Sequence, residues 1–330
     1  MRLADTITLH CYGTSEGVTK AWDTRGRGRH APMKSLKPGQ TTENAWRNQK
    51  TGKWNSERDA YHHKVINQLL AGHTAPEGRK PIVTILGGGT GSGKTTLSRK
   101  VLGNDPNVLR VDPDELKLAV PEYKGLKQDD PINATARVHE ESSSMTKMAM
   151  AQGASKGLDI VYDATTSGNG GPAMAKLLAE KGYDVRAMFV DVPIDVARER
   201  AAAREANSND PINFGRHVPD EVIQWSHYGA ADKFMTLKDM PEVADKKFYD
   251  NSGKEPQLVY SRSGMGKETI NDQDKWDAYQ EKASHKELLG AGTLRGSARR
   301  PTRFAQGRGR VAQDDRSERI AQASELTCHW

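Results

Sequence analysis

Pro81–Leu102 reads PIVTILGGGTGSGKTTLSRKVL. Its opening, PIVTILG, is a short apolar run rich in β-branched residues, which predicts a buried strand. Glycines follow, and from Lys94 onward the composition turns helical. Inside the stretch lies the spacing G-x-x-x-x-G-K-[ST], met by Gly88, Gly93, Lys94 and Thr95. Between a strand and a helix, that spacing predicts a phosphate-binding loop.

Each position has a physical task. Glycine lets the backbone of Gly88, Gly89, Thr90, Gly91, Ser92 and Gly93 turn several N–H groups toward one point. The N-terminus of the helix that follows, through Lys94, Thr95 and Thr96, adds partial positive charge. Lys94 is expected to reach the β- and γ-phosphates, and the Thr95 hydroxyl to reach Mg²⁺. ATP and Mg²⁺ are therefore the expected cofactors. The loop alone leaves open whether the γ-phosphate goes to water, to nucleic acid or to a small molecule.

Working outward, short apolar runs alternate with helical stretches. NVLRVD, LDIVYD, DVRAMFVDV and KKFYDNSG read as strands. INATARVHEESSSMTKMAMAQGASKG, GPAMAKLLAEKG, PIDVARERAAARE and PDEVIQWSHYGAADKFMTL read as helices. This alternation predicts an α/β fold of nucleotide-binding type, a parallel sheet flanked by helices on both faces. Before it, Ser56 is the expected N-cap of a helix carrying Tyr61, Val65, Ile66, Leu69 and Leu70 on one face. The expected organisation is an irregular N-terminal extension with one helix (1–80), the α/β domain that carries the phosphate loop (81–250), a mixed extension (251–289) and a disordered, Arg-rich basic tail (290–330).

Phosphoryl transfer needs a group for the acceptor proton and cations for the moving charge. In open α/β sheets such groups gather at the carboxyl ends of strands. Asp112, Asp114 and Glu115 follow the second strand, Asp163, Thr165 and Thr166 the third, and Asp191 the fourth. Asp114 is expected to take the hydroxyl proton. Asp163 and Asp191 fit a pattern that can hold Mg²⁺ through water, and Asp112, before Pro113, reads equally as a helix cap. Arg198, Arg200 and Arg204 stand on one helix, and Arg216 follows a polar loop. That arrangement can close as a lid, with Arg204 and Arg216 as the pair flanking the loop, or form a solvated face paired with Glu199 and Glu205.

GGGTGSGKTT, VDPDELK, VHEESS, VYDATTSG and AREANSNDPINFGRHVP stand in this order. The series resembles the zeta-toxin family of P-loop kinases. The resemblance implies transfer of the γ-phosphate of ATP to the 3′-hydroxyl of the amino sugar of UDP-N-acetylglucosamine. It also implies neutralisation by a small antitoxin that blocks the ATP site. Carried over by residue, it makes Lys94 and Thr95 phosphate-loop residues, Asp114 the base, Glu141 a substrate-site acid, and Asp163 and Thr165 substrate-binding residues. It makes Arg216 one lid arginine, with Arg204 or Arg200 as the other. Asp163 stands where the family usually has Glu, and Ser167 and Gly168 stand where a basic residue follows.

Composition bounds the rest. Of 330 residues, 35% are hydrophobic and 6% aromatic, so a core is expected in the middle with polar ends. The formal net charge is +6, yet residues 81–250 carry 21 Lys/Arg against 25 Asp/Glu, and residues 1–80 carry 14 against 7. The basic excess belongs to the extensions. Six arginines and no acid lie between Arg295 and Arg310; they could grip nucleic acid or form a solvated tail. Two cysteines, Cys11 and Cys328, make no disulfide framework and fit a reducing cytoplasm. No apolar run has the length of a membrane helix or signal peptide. Two further readings stay open beside the sugar-nucleotide kinase: a nucleotide or polynucleotide kinase, and a non-catalytic NTP-binding structural protein.

Overall fold

The computed structural model describes residues 7–10, 19–22, 31–207 and 215–285. All of them belong to one unit, Met1–Thr293. The Arg-rich stretch, both cysteines and residues 208–214, the greater part of the expected polar loop, lie outside the described residues.

The phosphate-loop strand is β3 (Ile82–Gly87), after a two-stranded antiparallel ribbon of β1 (Ile7–His10) and β2 (Thr19–Trp22). It sits in the middle of a seven-stranded sheet with β4 (Leu109–Val111), β5 (Ile160–Asp163), β6 (Asp184–Asp191), β7 (Val243–Asp250), β8 (Gln257–Ser263) and β9 (Thr269–Ile270). The order is β4-β5-β3-β6-β7-β8-β9. The first five strands are parallel, as the alternation with helices predicts, and β8 and β9 continue the sheet antiparallel. The chain leaves β3 toward one side for β4 and β5 and crosses to the other for β6. The carboxyl end of β3 is thus a topological switch point, where open sheets bind ligands.

Alternation along β6 shows how the sheet is packed. Val185, Ala187 and Phe189 enter the main core, while Met188 and Val190 meet Leu86 and Leu97 on the opposite face. The main core is closed by α2 (Ser56–Leu70), α6 (Ala134–Ser155), α7 (Gly170–Glu180) and α9 (Asp220–Lys238). Each fully buried Val, Leu, Ile or Phe there contributes about 1.5–3 kcal/mol. α2 buries the face its periodicity predicts, but its N-cap is Asn55, whose side chain accepts from Arg58 N; Ser56 is the first helical residue. At the far end α10 (Gln273–Ser284) docks through aromatic stacking, Trp276 on Tyr260 and Tyr279 on Phe248.

Before α2 the described part of the arm holds the ribbon and α1 (Thr42–Trp46). It is held by charge rather than by an apolar stripe. Arg58 is fully buried, with Nε on Glu141 Oε1 at 2.5 Å and Nη2 on Glu122 Oε2 at 2.5 Å; Nη1 donates to the Pro32 carbonyl. Trp46 Nε1 donates to the other oxygen of Glu122 at 2.8 Å, and His62 Nε2 lies 2.7 Å from Glu141 Oε1. Burial works to raise the Glu141 carboxyl, but hydrogen bonds from His62 and Arg58 outweigh it and hold it down to about 2.

A carboxyl depressed in the folded state stabilises the protein above its ordinary value of 4.5, and that contribution is lost as pH falls from 4.5 toward 2. Glu141→Gln is expected to cost about 3–5 kcal/mol at pH 7, the cost of breaking a buried pair. The gap between variant and parent should narrow as the pH approaches 2, read by denaturant melts across pH. A gap that is constant with pH contradicts this account.

Candidate active site

The loop closes tightly because its neighbours leave room only for glycine. Gly93 caps α3 (Lys94–Leu97) at φ +91°, in the left-handed region, and a Cβ there would fall 2.0 Å from Asn251 Nδ2. That amide instead donates to the Ser92 carbonyl at 2.9 Å. Arg200 Nη1 donates to the Gly91 carbonyl at 3.4 Å, and Lys94 Nζ to the carbonyls of Gly88 at 3.0 Å and Gly89 at 3.5 Å. Gly88 N donates to the Thr165 carbonyl at 3.3 Å. Among the described residues the amides of Gly91, Gly93 and Lys94 make no hydrogen bond. Unspent amides at a helix N-terminus are donors that an anion can take up.

The loop opens onto a small cleft of about 60 Å³, which Lys94, Asp114, Thr165, Arg204 and Arg216 line. Asp114 stands in the first turn of α4 (Pro113–Leu118), whose N-cap is Asp112, its carboxylate accepting from Asp114 N at 2.7 Å. Both oxygens of Asp114 are engaged: Oδ1 by Lys117 one turn on, Oδ2 by Arg216 Nη1 at 2.7 Å. Desolvation in the cleft pushes the Asp114 carboxyl up, but Arg216 and Lys117 outweigh it and hold it well below the usual carboxylate range. Desolvation lowers the Lys94 ammonium, and Asp163 and Asp114 offset part of that.

Asp163 ends β5 opposite Leu86 of β3, and Asp112 follows Val111, the β4 partner of Tyr162. The two acids are therefore neighbours across strands. Burial, with the charge of Asp114 adding to it against Lys94, pushes Asp163 up to about 6. Burial and the charge of Asp163 raise Asp112 as well. This crowding of negative charge beside the loop is the environment a divalent cation relieves. Among the described residues no cluster of three acidic, His or Cys side chains that could hold a metal ion is present.

Several residues lie elsewhere than expected. Glu141 does not line the cleft; its carboxylate is taken up by Arg58 and His62. Asp191 does not face it either, because His227 holds one oxygen at 2.6 Å and Lys282 the other. Of the two arginines left open, Arg204 lines the cleft and Arg200 props the loop, its Nη2 donating to the Asn251 carbonyl at 2.9 Å. Thr96 is exposed on α3, while Thr95 is half-buried.

Other groups escaped the sequence. Lys117 had a local signal, the i, i+3 spacing from Asp114 on a helix. Asn251, Ser226 and His227 had none, since they reach the loop from distant elements. Thr166 adopts φ +52°, a strained conformation for a β-branched residue that costs about 1–3 kcal/mol. It shapes the turn that carries Thr165 into the cleft.

A glycine loop after the central strand, a lysine upon it, and a carboxylate with arginines across one cleft define a fold of the P-loop kinase class. The family model for zeta toxin matches residues 66–263, well over half the chain. The chain belongs to the zeta toxin family, and with that fold come ATP and a divalent metal as its cofactors. Among solved structures it is similar to the AvrRxo1-ORF1:AvrRxo1-ORF2 complex with sulphate ions, at TM-score 0.58 and 19% identity over 73% of this chain and 82% of that one. The same complex with ATP aligns at TM-score 0.55 and 17% identity, over 73% and 81%. The PezAT toxin–antitoxin system of Streptococcus pneumoniae aligns at TM-score 0.48 and 18% identity, over 72% and 98%. At these identities the likeness is one of fold. No curated protein matches the chain.

Proposed function

We propose that this protein is an ATP-dependent kinase that phosphorylates a hydroxyl of a UDP-amino sugar. The observation that carries the reading is that Lys94 and Asp114 line one cleft. The phosphate loop and Lys94 hold the triphosphate with its outermost group toward Asp114. Asp163 and Thr165 orient the acceptor. The acceptor oxygen forms the new bond to the γ-phosphorus as the bond to the β–γ bridging oxygen breaks, and Asp114 takes the acceptor's proton. Arg204 and Arg216 meet the charge on the transferred group. When Arg216 turns from Asp114 to that group, the carboxylate loses a counter-charge and becomes a better base. A divalent cation, when bound, neutralises the β- and γ-phosphoryl oxygens; Thr95 and Asp163 are the residues that would hold it.

In this reading residues 81–250 are the catalytic domain, 1–80 and 251–289 its extensions, and 290–330 a basic tail. Membership of the zeta toxin family, beside the two-part AvrRxo1-ORF1:AvrRxo1-ORF2 complex among similar folds, supports a protein antitoxin as partner. The setting is the cytoplasm, where ATP is abundant; among the described residues no helix is long and apolar enough to cross a membrane.

The test is the product. Incubation with γ-labelled ATP, Mg²⁺ and a panel of UDP-sugars, nucleosides and oligonucleotides should give a phosphomonoester on the UDP-amino sugar, identified by mass spectrometry. Label that goes to an oligonucleotide end, or only to inorganic phosphate, overturns the acceptor assignment.

A further inference from the structure

Behind the phosphate loop lies a chain of charged groups that the proposed transfer does not use. Lys282, on α10, reaches Asp191 Oδ2 and also donates to the Val192 carbonyl at 3.1 Å. Asp191 Oδ1 lies 2.6 Å from His227 Nδ1, and His227 Nε2 lies 2.8 Å from the Thr90 carbonyl. The His227 side chain is wholly buried. Both of its partners are acceptors, a carboxylate and a carbonyl. Each ring nitrogen thus faces an oxygen, and the imidazole bridges Asp191 to the loop.

The neighbouring residue completes the grip. Ser226 Oγ accepts from Thr90 N at 3.0 Å. Consecutive residues of α9 thus hold both main-chain polar groups of one loop residue, Thr90. The His227 ring also fills the space beside Gly89, where a Cβ would come within 2.1 Å of it. Thr90 lies between that glycine and Gly91, whose free amide is one of the three donors. Moving the Thr90 carbonyl re-aims the peptide that supplies this donor.

We propose that His227, Asp191 and Lys282 form a positioning relay that sets the curvature of the phosphate loop for a triphosphate. None of the three lines the cleft; they act through Thr90. Lys282 lies beyond residues 66–263, the part of the chain that matches the family model, so a helix outside the shared region takes part in nucleotide binding. The inference rests on the reading of the loop as an ATP site.

Calorimetric titration of the full-length protein with Mg²⁺·ATP tests it, beside thermal melts. Lys282→Met should weaken ATP about fivefold to tenfold, less than the loss of a direct charge-assisted contact because it acts through Thr90, and Lys282→Arg, which keeps the charge, should stay within about twofold of the parent. His227→Leu should weaken ATP more, and His227→Gln, which keeps one donor, less. In the double variant Lys282→Met/His227→Leu the losses should not add, since both break one relay. Unchanged ATP affinity in Lys282→Met, with only a lower melting temperature, overturns the proposal and assigns Lys282 to stability alone. So do strictly additive losses. Should His227→Leu fail to fold, the Lys282 pair decides. A parent protein that does not bind ATP at all refutes the nucleotide reading itself, and the relay with it.

Discussion

Asp114→Asn is expected to lower phosphoryl transfer by about 10²–10⁴-fold, the range for loss of a positioned acid–base group. ATP affinity should stay within about threefold, because the triphosphate is held by the loop and Lys94. Single-turnover transfer and ATP titration on the same preparation separate the two. The amide leaves Lys117 without its counter-charge; that side chain is only 5% exposed. A companion variant, Asp114→Asn/Lys117→Met, therefore controls for lost stability. The pH profile carries a second check. Lys117 and Arg216 hold the Asp114 carboxyl well below the usual range despite desolvation, so the parent should show no acid limb from it near neutrality. Removing a cation raises that carboxyl, and Arg216→Gln should bring an acid limb in which activity falls as pH falls. Transfer by Asp114→Asn at a rate near the parent's would remove Asp114 from the chemistry.

Lys94→Met is expected to weaken ATP about tenfold to a hundredfold, the effect of losing one or two charged hydrogen bonds to phosphate, and to abolish transfer. Its effect on stability should run the other way. Desolvation already lowers the Lys94 ammonium, and its hydrogen bonds go to the carbonyls of Gly88 and Gly89. Methionine retains the apolar stem without a partly desolvated charge, so the melting temperature should hold or rise. Such an exchange of stability for function is expected where a binding site stores an unfavourable charge. A variant that unfolds at lower temperature while binding ATP normally would make Lys94 a structural residue.

The parts legible in the sequence are those written in local pattern. PIVTILG, LDIVYD and DVRAMFVDV announce buried strands because parallel strands covered on both faces are continuously apolar. The phosphate loop is legible because its glycines and Lys94 are contiguous. Asp114 could be singled out because a strand end brings its carboxylate beside the loop. The choice between Arg200 and Arg204 could not be made, since both lie on one helix and only the fold shows which of them meets the cleft. Glu141 was misplaced for a related reason: a carboxylate in an acidic helical motif gives no hint that Arg58, from an element far away in sequence, will claim it. QLVYS reads as a short strand and forms part of β8; its antiparallel direction, the strand β9 and the grip of Asn251, Ser226 and His227 on the loop are likewise decided by tertiary partners. Thr166 has no signal at all, for nothing in Thr-Thr-Ser predicts a left-handed threonine.

The buried Arg58 cluster bears on where this chain can be divided. Glu122 and Glu141 are contributed from beyond the phosphate loop, while the guanidinium that neutralises them comes from before it. A fragment trimmed to begin at the loop strand would lose the counter-ion of both acids together with α2, whose Val65, Ile66 and Leu69 complete the core. Expressed alone, it would open an apolar face to water, so the leading segment belongs to the folding unit whatever its bearing on chemistry.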